Sequence, residues 1–277
     1  MESLWRYETH DIESKKIQPG SYRDVIVIGA GMAGLLTAYY LQKKGLKVLV
    51  LEAKTIACGQ TERTTAKITS QHDLKYNKLI KDVGIKKAQM YASANERAIE
   101  EYDKLIKENK IDCDFERVPA YLYTREDSRH MINEAKAAVR LGIDAYYTKE
   151  TELPFDVKGA VCFNNQAQFS PLKFVKFLAK NVEVLEHIRV RKIKGNQIIT
   201  NNGIFKANKI VVATHYPIIN FPGMYFLRQH QERSYVLVLS GCSPINGMYY
   251  GVDKNGLSMR QAGEFLLVGG DSHRTGW

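Results

Sequence analysis

Cysteine is scarce and scattered in this chain. Cys58, Cys113, Cys162 and Cys242 form no CxxC pair and have no histidine at metal-ligand spacing, which argues against a zinc site, an iron–sulfur cluster and a disulfide framework. Proline is also sparse, with seven in 277 residues, while 44% of the residues are hydrophobic. Such a chain is not Pro-rich or disordered and can bury a substantial core, as one large or two interleaved domains. No apolar run approaches the roughly eighteen residues of a membrane-crossing helix. The N-terminal MESLWRYETHDIESKK is too charged for a secretory h-region. A soluble protein with a cytoplasmic location by default is therefore expected, without a membrane span.

Acidic residues are in deficit, 30 against 40 Lys and Arg, for a net charge of +10. An excess of this size suits nucleic acid or an anionic membrane surface. The cations, however, fall in small groups such as Lys15-Lys16, Lys43-Lys44, Lys86-Lys87 and Arg189 to Lys194, most flanked or interrupted by acids or apolar residues. There is no basic stripe with interleaved aromatics, so no nucleic-acid partner is expected. A solvated surface and an anionic cofactor account for the charge.

The densest information lies in DVIVIGAGMAGLLTAYYLQKKGLKVLVLE, residues 24–52. Val25 to Ile28 form a continuous β-branched run suited to a buried parallel strand. Gly29-Ala30-Gly31-Met32-Ala33-Gly34 follows at once. In such a turn Gly29 permits the tight bend, Gly31 lets the backbone approach a pyrophosphate, and Gly34 lets helix and strand pack closely. The helix then directs its first amides, at Met32 and Ala33, and the positive end of its dipole at the phosphates. Leu35, Leu36, Ala38, Tyr39 and Leu41 suit packing on a sheet, and Gly45 closes the helix. A second strand, Val48 to Leu51, ends at Glu52, with Ala53 beside it. A carboxylate there accepts the two ribose hydroxyls and repels a 2′-phosphate, so the expected ligand is FAD or NAD rather than NADP.

Along the chain, residues 1–22 read as an irregular leader with a turn at Pro19-Gly20. After Glu52 the polar stretch TIACGQTERTTAKITSQHDLKY is too polar for core and too long for a simple turn, and is expected to cross the cofactor. The spacing of Tyr91, Ala94, Ala98, Tyr102 and Leu105 predicts a helix near 84–108. A strand is expected near 118–124, a helix near 126–141 and a strand near 160–163. Ser170-Pro171 opens a further helix. Short strands are expected near 182–185, 188–193, 197–200 and 203–207, and a buried strand over Lys209 to Thr214 ending at His215. Strands near 234–239 and 265–269 complete the pattern.

The fingerprint Gly29 to Gly34, Glu52, the segment Gly59-Gln60-Thr61-Glu62-Arg63-Thr64-Thr65-Ala66-Lys67 and Val211-Val212-Ala213-Thr214-His215 together resemble the FAD-dependent oxidoreductases of the D-amino-acid oxidase and glycine oxidase type. The wording GQTERTTAKITSQHDLKY, FNNQAQFSPLKF and INFPGMYFLRQHQERSYVL is most similar to a bacterial branch often fused to a C-terminal Rieske domain. The Rieske ligands are absent from this sequence, so an iron–sulfur cluster does not carry over. The resemblance implies an α/β fold, with a Rossmann-like parallel FAD-binding domain interleaved with a mixed-sheet α+β substrate domain. The implied pieces are FAD-binding at 23–80 and 161–222 and substrate domain at 81–160 and 223–277, with a C-terminal FAD-domain segment missing. The resemblance also implies FAD contacts from Arg63, Thr64, Thr65, Ala66 and Lys67 along the pyrophosphate and towards the flavin. It implies a backbone contact to adenine from Val190, and a turn at Ala213 and Thr214 near FAD in which His215 replaces the usual glycine.

The activity implied is oxidation of a C–N bond in a small amine or amino acid, with hydride passing to flavin N5. No acid or base is required for a neutral amine, and the sequence shows no triad or carboxylate pair. Related oxidases commonly clamp a substrate carboxylate with an arginine, for which Arg260 and Arg233 are the candidates here. Gln71 and His72 are candidates for the flavin edge. A homo-oligomer or a redox partner fits this reading. Two alternatives stand beside it, an FAD-holding protein without turnover of its own and, on charge alone, a flavoprotein acting on tRNA.

Overall fold

The computed structural model describes residues 3–9, 12–14 and 23–275. The turn expected at Pro19-Gly20 lies outside the described residues. The chain forms two compact units, Met1–Thr64 with Pro171–His230 and Thr65–Ser170 with Gln231–Trp277. Among the described residues, no helix is long and apolar enough to cross a membrane.

The first unit is built on a six-stranded sheet. Strand β1 (Arg23–Ile28) lies at its centre, parallel to β2 (Val48–Leu51) on one side and β10 (Gly203–Val212) on the other. Beyond β2 lies the short parallel strand β7 (Val184–Leu185), and beyond β10 the antiparallel strands β9 (Gln197–Thr200) and β8 (Val190–Lys194). All four residues of β2 and five of six in β1 are buried, as continuous apolar runs require in a sheet covered on both faces. Helix α2 (Met32–Lys43) connects β1 to β2, and α6 (Pro171–Asn181) precedes β7. Tyr39 of α2 packs on Phe177 of α6. Ile26, Ile28, Leu49, Leu51, Ile188, Ile198 and Ala207 form a core cluster on the sheet.

The leader reading needs correction, because residues 4–8 form a short helix, α1 (Leu4–Glu8), with Trp5 buried. Five residues cannot sustain a helix alone, so packing rather than propensity makes it. A second correction concerns β10. It is one continuous strand rather than two, and its latter half is not buried; Val212 is 42% exposed. The reason is pairing. Residues 209–212 meet β1 on one side, while β9 pairs only with residues 203–206.

The second unit carries an eight-stranded mixed sheet. Its strands are β3 (Lys67–Ile68), β4 (Glu116–Thr124), β5 (Ala145–Thr148), β6 (Gly159–Gln168), β11 (Glu232–Leu239), β12 (Met248–Gly251), β13 (Ser258–Ala262) and β14 (Phe265–Arg274). The order is β11-β14-β13-β12-β4-β6-β3, with β5 also pairing β6. The β4–β12 pair is parallel and the others are antiparallel. A register shift between Val118 and Ala120, with Asn165 opposite at positive φ, marks a bulge. Bulges of this kind bend a sheet; β3 pairs β6 at one end of the order, and the Lys67 side chain of β3 reaches β12 and β13.

Three helices belong to this unit, α3 (Tyr76–Val83), α4 (Ile85–Asn109) and α5 (Arg129–Arg140). Helix α3 was not legible in the polar stretch, because its cap comes from a distant residue. Glu134 of α5 accepts the Tyr76 and Asn77 amides at 2.5 and 2.9 Å, which satisfies donors at the helix start. Helix α4 faces inward differently from the expected stripe. Ala88, Ala92, Ile99, Asp103, Leu105 and Ile106 are buried, whereas Ala94 and Ala98 are exposed. Asp103 is tolerated there because Arg117 Nε and Nη2 reach its Oδ2 at 3.2 and 3.0 Å. Tyr91 and Tyr102 lie on the flank, packed against Tyr76 and Phe169.

A Cβ at Gly34 would lie 1.9 Å from the Gly29 carbonyl oxygen, whereas one at Gly45 meets nothing within 4 Å. Gly34→Ala is expected to cost about 3 kcal/mol in denaturant unfolding of the cofactor-free chain, through overpacking. Gly45→Ala, at φ +83° in open space, is expected to cost about 1 kcal/mol from backbone strain. Equal losses at the two positions would remove the packing explanation.

Candidate functional site

The first unit gathers its polar groups at the end of β1. Gly29 donates its amide to Leu51 O at 2.8 Å and takes φ +107°. Its missing Cβ would lie 2.5 Å from Ala213 O, so the turn nests directly on the chain leaving β10. Ala213 in turn donates its amide to Ile28 O at 2.9 Å. Thr214 Oγ1 donates to Tyr216 O at 2.8 Å. His215 takes φ +63°. The histidine thus keeps the left-handed backbone that glycine favours, and histidine is among the side chains enriched in that region.

Gly31 is extended and forms the N-cap of α2. The next amide, Met32 N–H, donates to Thr61 Oγ1 at 3.0 Å. The position of a Gly31 Cβ also faces Thr61 Oγ1, at 3.2 Å. Thr61 lies in the polar segment after Glu52 without a motif of its own, and a hydroxyl residue shortly after the acid is the signal that marks it. Ala33 follows on α2, and its carbonyl accepts Thr37 Oγ1 at 2.7 Å.

Glu52 ties the turn to the loop after β2. Its Oε2 accepts the Ala30 amide and its Oε1 the Lys54 amide, both at 2.8 Å. An ionised carboxylate has about four acceptor positions, so two amides leave room for ribose hydroxyls. Ala53 is exposed beside it. The Glu52 carbonyl accepts the Ile188 amide at 2.8 Å and the Lys54 carbonyl accepts the His187 amide at 3.0 Å. Val190 stands two residues further on, at the start of β8 and opposite Thr200. Backbone pairing therefore links the Val190 region to the acid.

Residues 60–63 form a 3₁₀ turn. Arg63 is 60% exposed; its Nη2 lies 3.1 Å from Glu62 Oε1 and its Nη1 donates to Cys58 O at 3.2 Å. The Thr64 carbonyl accepts Trp5 Nε1 at 2.9 Å. The site fits an adenine dinucleotide. Gly31 has no side chain to bar a close backbone approach, and the atom that faces it and the helix start is the Thr61 hydroxyl, which can donate to a phosphate oxygen as well as accept from an amide.

The remaining sequence candidates lie in the second unit. Thr65 is partly buried, and Ala66 takes φ +53°. Lys67 turns its Nζ inward, donating to Tyr249 O at 2.8 Å and Ser258 Oγ at 2.6 Å. The residue as a whole is partly exposed while its amine is enclosed. Arg260, 2% exposed, donates to Ala66 O at 3.1 Å, Gln168 Oε1 at 3.5 Å and Phe169 O at 3.2 Å. These are backbone and side-chain acceptors of the protein, so Arg260 holds the chain around β3. Arg233 is exposed on β11, opposite His273. His72 Nδ1 lies 3.1 Å from Tyr91 Oη, and burial, then the nearby Lys75, lower its pKa. Gln71 is buried, and its carbonyl accepts Thr69 Oγ1 at 3.0 Å.

Residues 24–277 match the family described as DAO, FAD dependent oxidoreductase. A protein of Bacillus subtilis named putative Rieske 2Fe-2S iron-sulfur protein YhfW is 32% identical over 291 residues, spanning 99% of this chain and 57% of its own length. The chain thus spans little more than half of that relative. Among solved structures, L-proline dehydrogenase from P. horikoshii superposes with a TM-score of 0.74 at 18% identity, over 92% of this chain and 71% of that one. Glycine oxidase from Geobacillus kaustophilus gives 0.67 at 18% identity, over 91% and 72%. These structural likenesses establish the α/β fold with its parallel and mixed sheets.

Lys67 gives the second unit a measurable pH signature. Burial, and then the charge of Arg260, bring its pKa from 10.5 down to about 7. Between those values the unfolded chain binds the proton that the folded chain has released, so stability rises with pH. The gain is complete above the unfolded value and is lost as pH falls through about 7. Lys67→Met is expected to flatten the rise in denaturation midpoint between about pH 7 and 9. An unchanged slope in the variant would show that another group produces it.

Proposed function

This chain belongs to the DAO family of FAD-dependent oxidoreductases, and from that premise we propose that it oxidises a carbon–nitrogen bond of a small amine or amino acid. The observation that carries the cofactor side of this reading is the closed circuit of the glycine turn, with Glu52 bound to Ala30 and Lys54 and Thr61 against the start of α2. FAD, when bound, supplies a hydride acceptor at flavin N5.

In this reading the first unit is the FAD-binding domain and the second carries the substrate. Gly31 admits the pyrophosphate, the α2 amides and the Thr61 hydroxyl bind its oxygens, and Arg63 offers an exposed guanidinium to the same charge. Glu52 accepts the ribose hydroxyls. The turn at Ala213 and Thr214 and the Val190 backbone border the same cofactor. Names among the relatives and structural neighbours, L-proline dehydrogenase, glycine oxidase and gamma-glutamylputrescine oxidoreductase, support amino acids and amines as the substrate class. Arg260 serves by fixing β3 rather than by clamping a carboxylate, which leaves Arg233 as the sequence-derived candidate for that task. A second reading, FAD held without turnover, draws on that commitment of Arg260 to protein acceptors.

The test is anaerobic addition of glycine, L-proline and a panel of small amines to the purified, FAD-loaded chain. Bleaching of the flavin absorbance by at least one of them is expected. FAD retained without bleaching favours the second reading, and a folded chain that takes up no FAD removes the cofactor site. Gly31→Ala is expected to weaken FAD binding about tenfold, since Thr61 must give way. Gly31→Val is expected to abolish binding while the chain stays folded by circular dichroism.

A further inference from the structure

Helix α1 lies ahead of residue 24, where the family match begins, and its polar side chains reach one place. Ser3 Oγ donates to the Glu62 carbonyl. Trp5 Nε1 donates to Thr64 O at 2.9 Å. Arg6 Nη2 donates to Ile56 O at 3.2 Å, and its Nε and Nη2 meet Glu62 Oε2 at 3.0 and 2.8 Å. The N-cap Ser3 and the helical Trp5 and Arg6 thus bind Ile56, Glu62 and Thr64. The same segment puts Thr61 against the first amide of α2.

Glu62 adds a charge argument. Its side chain is 10% exposed, with Oε2 on Arg6 and Oε1 on Arg63. An almost buried carboxylate beside a position read as phosphate-binding repels that ligand unless it is neutralised. If Arg63 alone neutralised it, the exposed guanidinium would be drawn from any phosphate. Arg6 approaches the other oxygen with two donors, Nε and Nη2, which converge on Oε2 as charge-assisted hydrogen bonds. The set Arg6, Glu62 and Arg63 then keeps one net positive charge, on its exposed member.

We propose that α1 is a clamp on the cofactor segment, in which Arg6 acts as a positioning residue by neutralising Glu62, so that Arg63, which here also meets Glu62 Oε1 and Cys58 O, can turn its exposed guanidinium to an anionic ligand, while Ser3 and Trp5 fix the backbone at Glu62 and Thr64. The ligand assignment rests on the FAD reading above; the clamp itself does not. Glu62 has no role of its own toward the ligand here. It orders the turn through Arg6, and its negative charge is the reason Arg6 is needed.

The experiment uses the full chain and the variants Arg6→Ala, Arg6→Lys, Glu62→Gln, Arg6→Ala with Glu62→Gln, and Trp5→Phe. Two readouts are taken, the FAD dissociation constant by flavin fluorescence and hydrogen exchange of the 56–64 amides without FAD. Arg6→Ala is expected to weaken FAD binding about tenfold or more, and Arg6→Lys by less, because charge is retained. The double variant is expected to lie within about threefold of Glu62→Gln alone, since no carboxylate remains to be neutralised. Trp5→Phe keeps an aromatic side chain but loses the indole donor and some buried volume, and is expected to weaken binding by about threefold to tenfold. A double variant as impaired as Arg6→Ala overturns the charge role. Exchange separates the clamp from the ligand reading. Faster exchange confined to 56–64 in Arg6→Ala and Trp5→Phe supports the clamp even if the wild-type chain takes up no FAD, an outcome that would defeat only the FAD reading. Unchanged protection at 56–64 in both variants overturns the clamp.

Discussion

Helix α2 and the turn before it approach so closely that no side chain fits between Gly34 and the Gly29 carbonyl. That closeness sets the direction of the helix axis, and hence where its first amides point. It also brings Ala213, at the end of the β10 chain, against the other side of the turn. The turn with its helix and the sequence-distant chain at Ala213 are thereby fixed by close contact. Glu52 then works within a frame already set, since its two oxygens reach amides on either side of the crossover from β1 to β2.

The second unit solves a different problem with buried cations. Side chains near β3 reach strands that are remote from it in hydrogen-bonding order. Arg260 and Lys67 supply donors to carbonyls of Ala66, Phe169 and Tyr249. Arginine suits this task because its charge is permanent and its donors diverge. Lysine at the same junction yields its proton near neutrality instead, so that two adjacent cations need not both be charged.

Much of the first unit was legible because its signals are local. β1, the glycine turn, α2 and β2 lie within one uninterrupted stretch, and apolar runs, glycines and the terminal acid mark each boundary. The continuity of β10 was obscured by Lys206, Asn208 and Lys209, which look like a break but lie on exposed positions of one strand. Helix α3 was hidden because its capping carboxylate, Glu134, lies far along the chain. The inward face of α4 was misread because alanine satisfies any apolar pattern, while the decisive residue, Asp103, is buried through its partner Arg117. Helix α1 was missed for a related reason. Its sequence is amphipathic over too few residues to announce itself, and only contacts with residues 56–64 reveal why it is helical. Arg260 shows the limit of reading chemistry from residue type. An arginine in a plausible segment suits a carboxylate, and only the structure shows its donors turned toward carbonyls.

The interleaving of the two units has a consequence for synthesis. As the chain emerges, β1, α2 and β2 can assemble at once, because the crossover between them is short and local. The other edge of β1 must wait for β10, since Val25 pairs with Lys209. Throughout that interval the nascent chain carries an apolar parallel strand with an open row of backbone donors and acceptors, the kind of edge that invites wrong pairing. The inserted unit cannot close early either, because β4 waits for β12. Each sheet therefore reaches completion only after strands of the other unit have been made, and the long-range pairings make assembly slow by topology. A chain of this design has reason to depend on chaperone holding while it grows, and its yield should be more sensitive to translation rate than that of a protein whose domains follow one another in sequence.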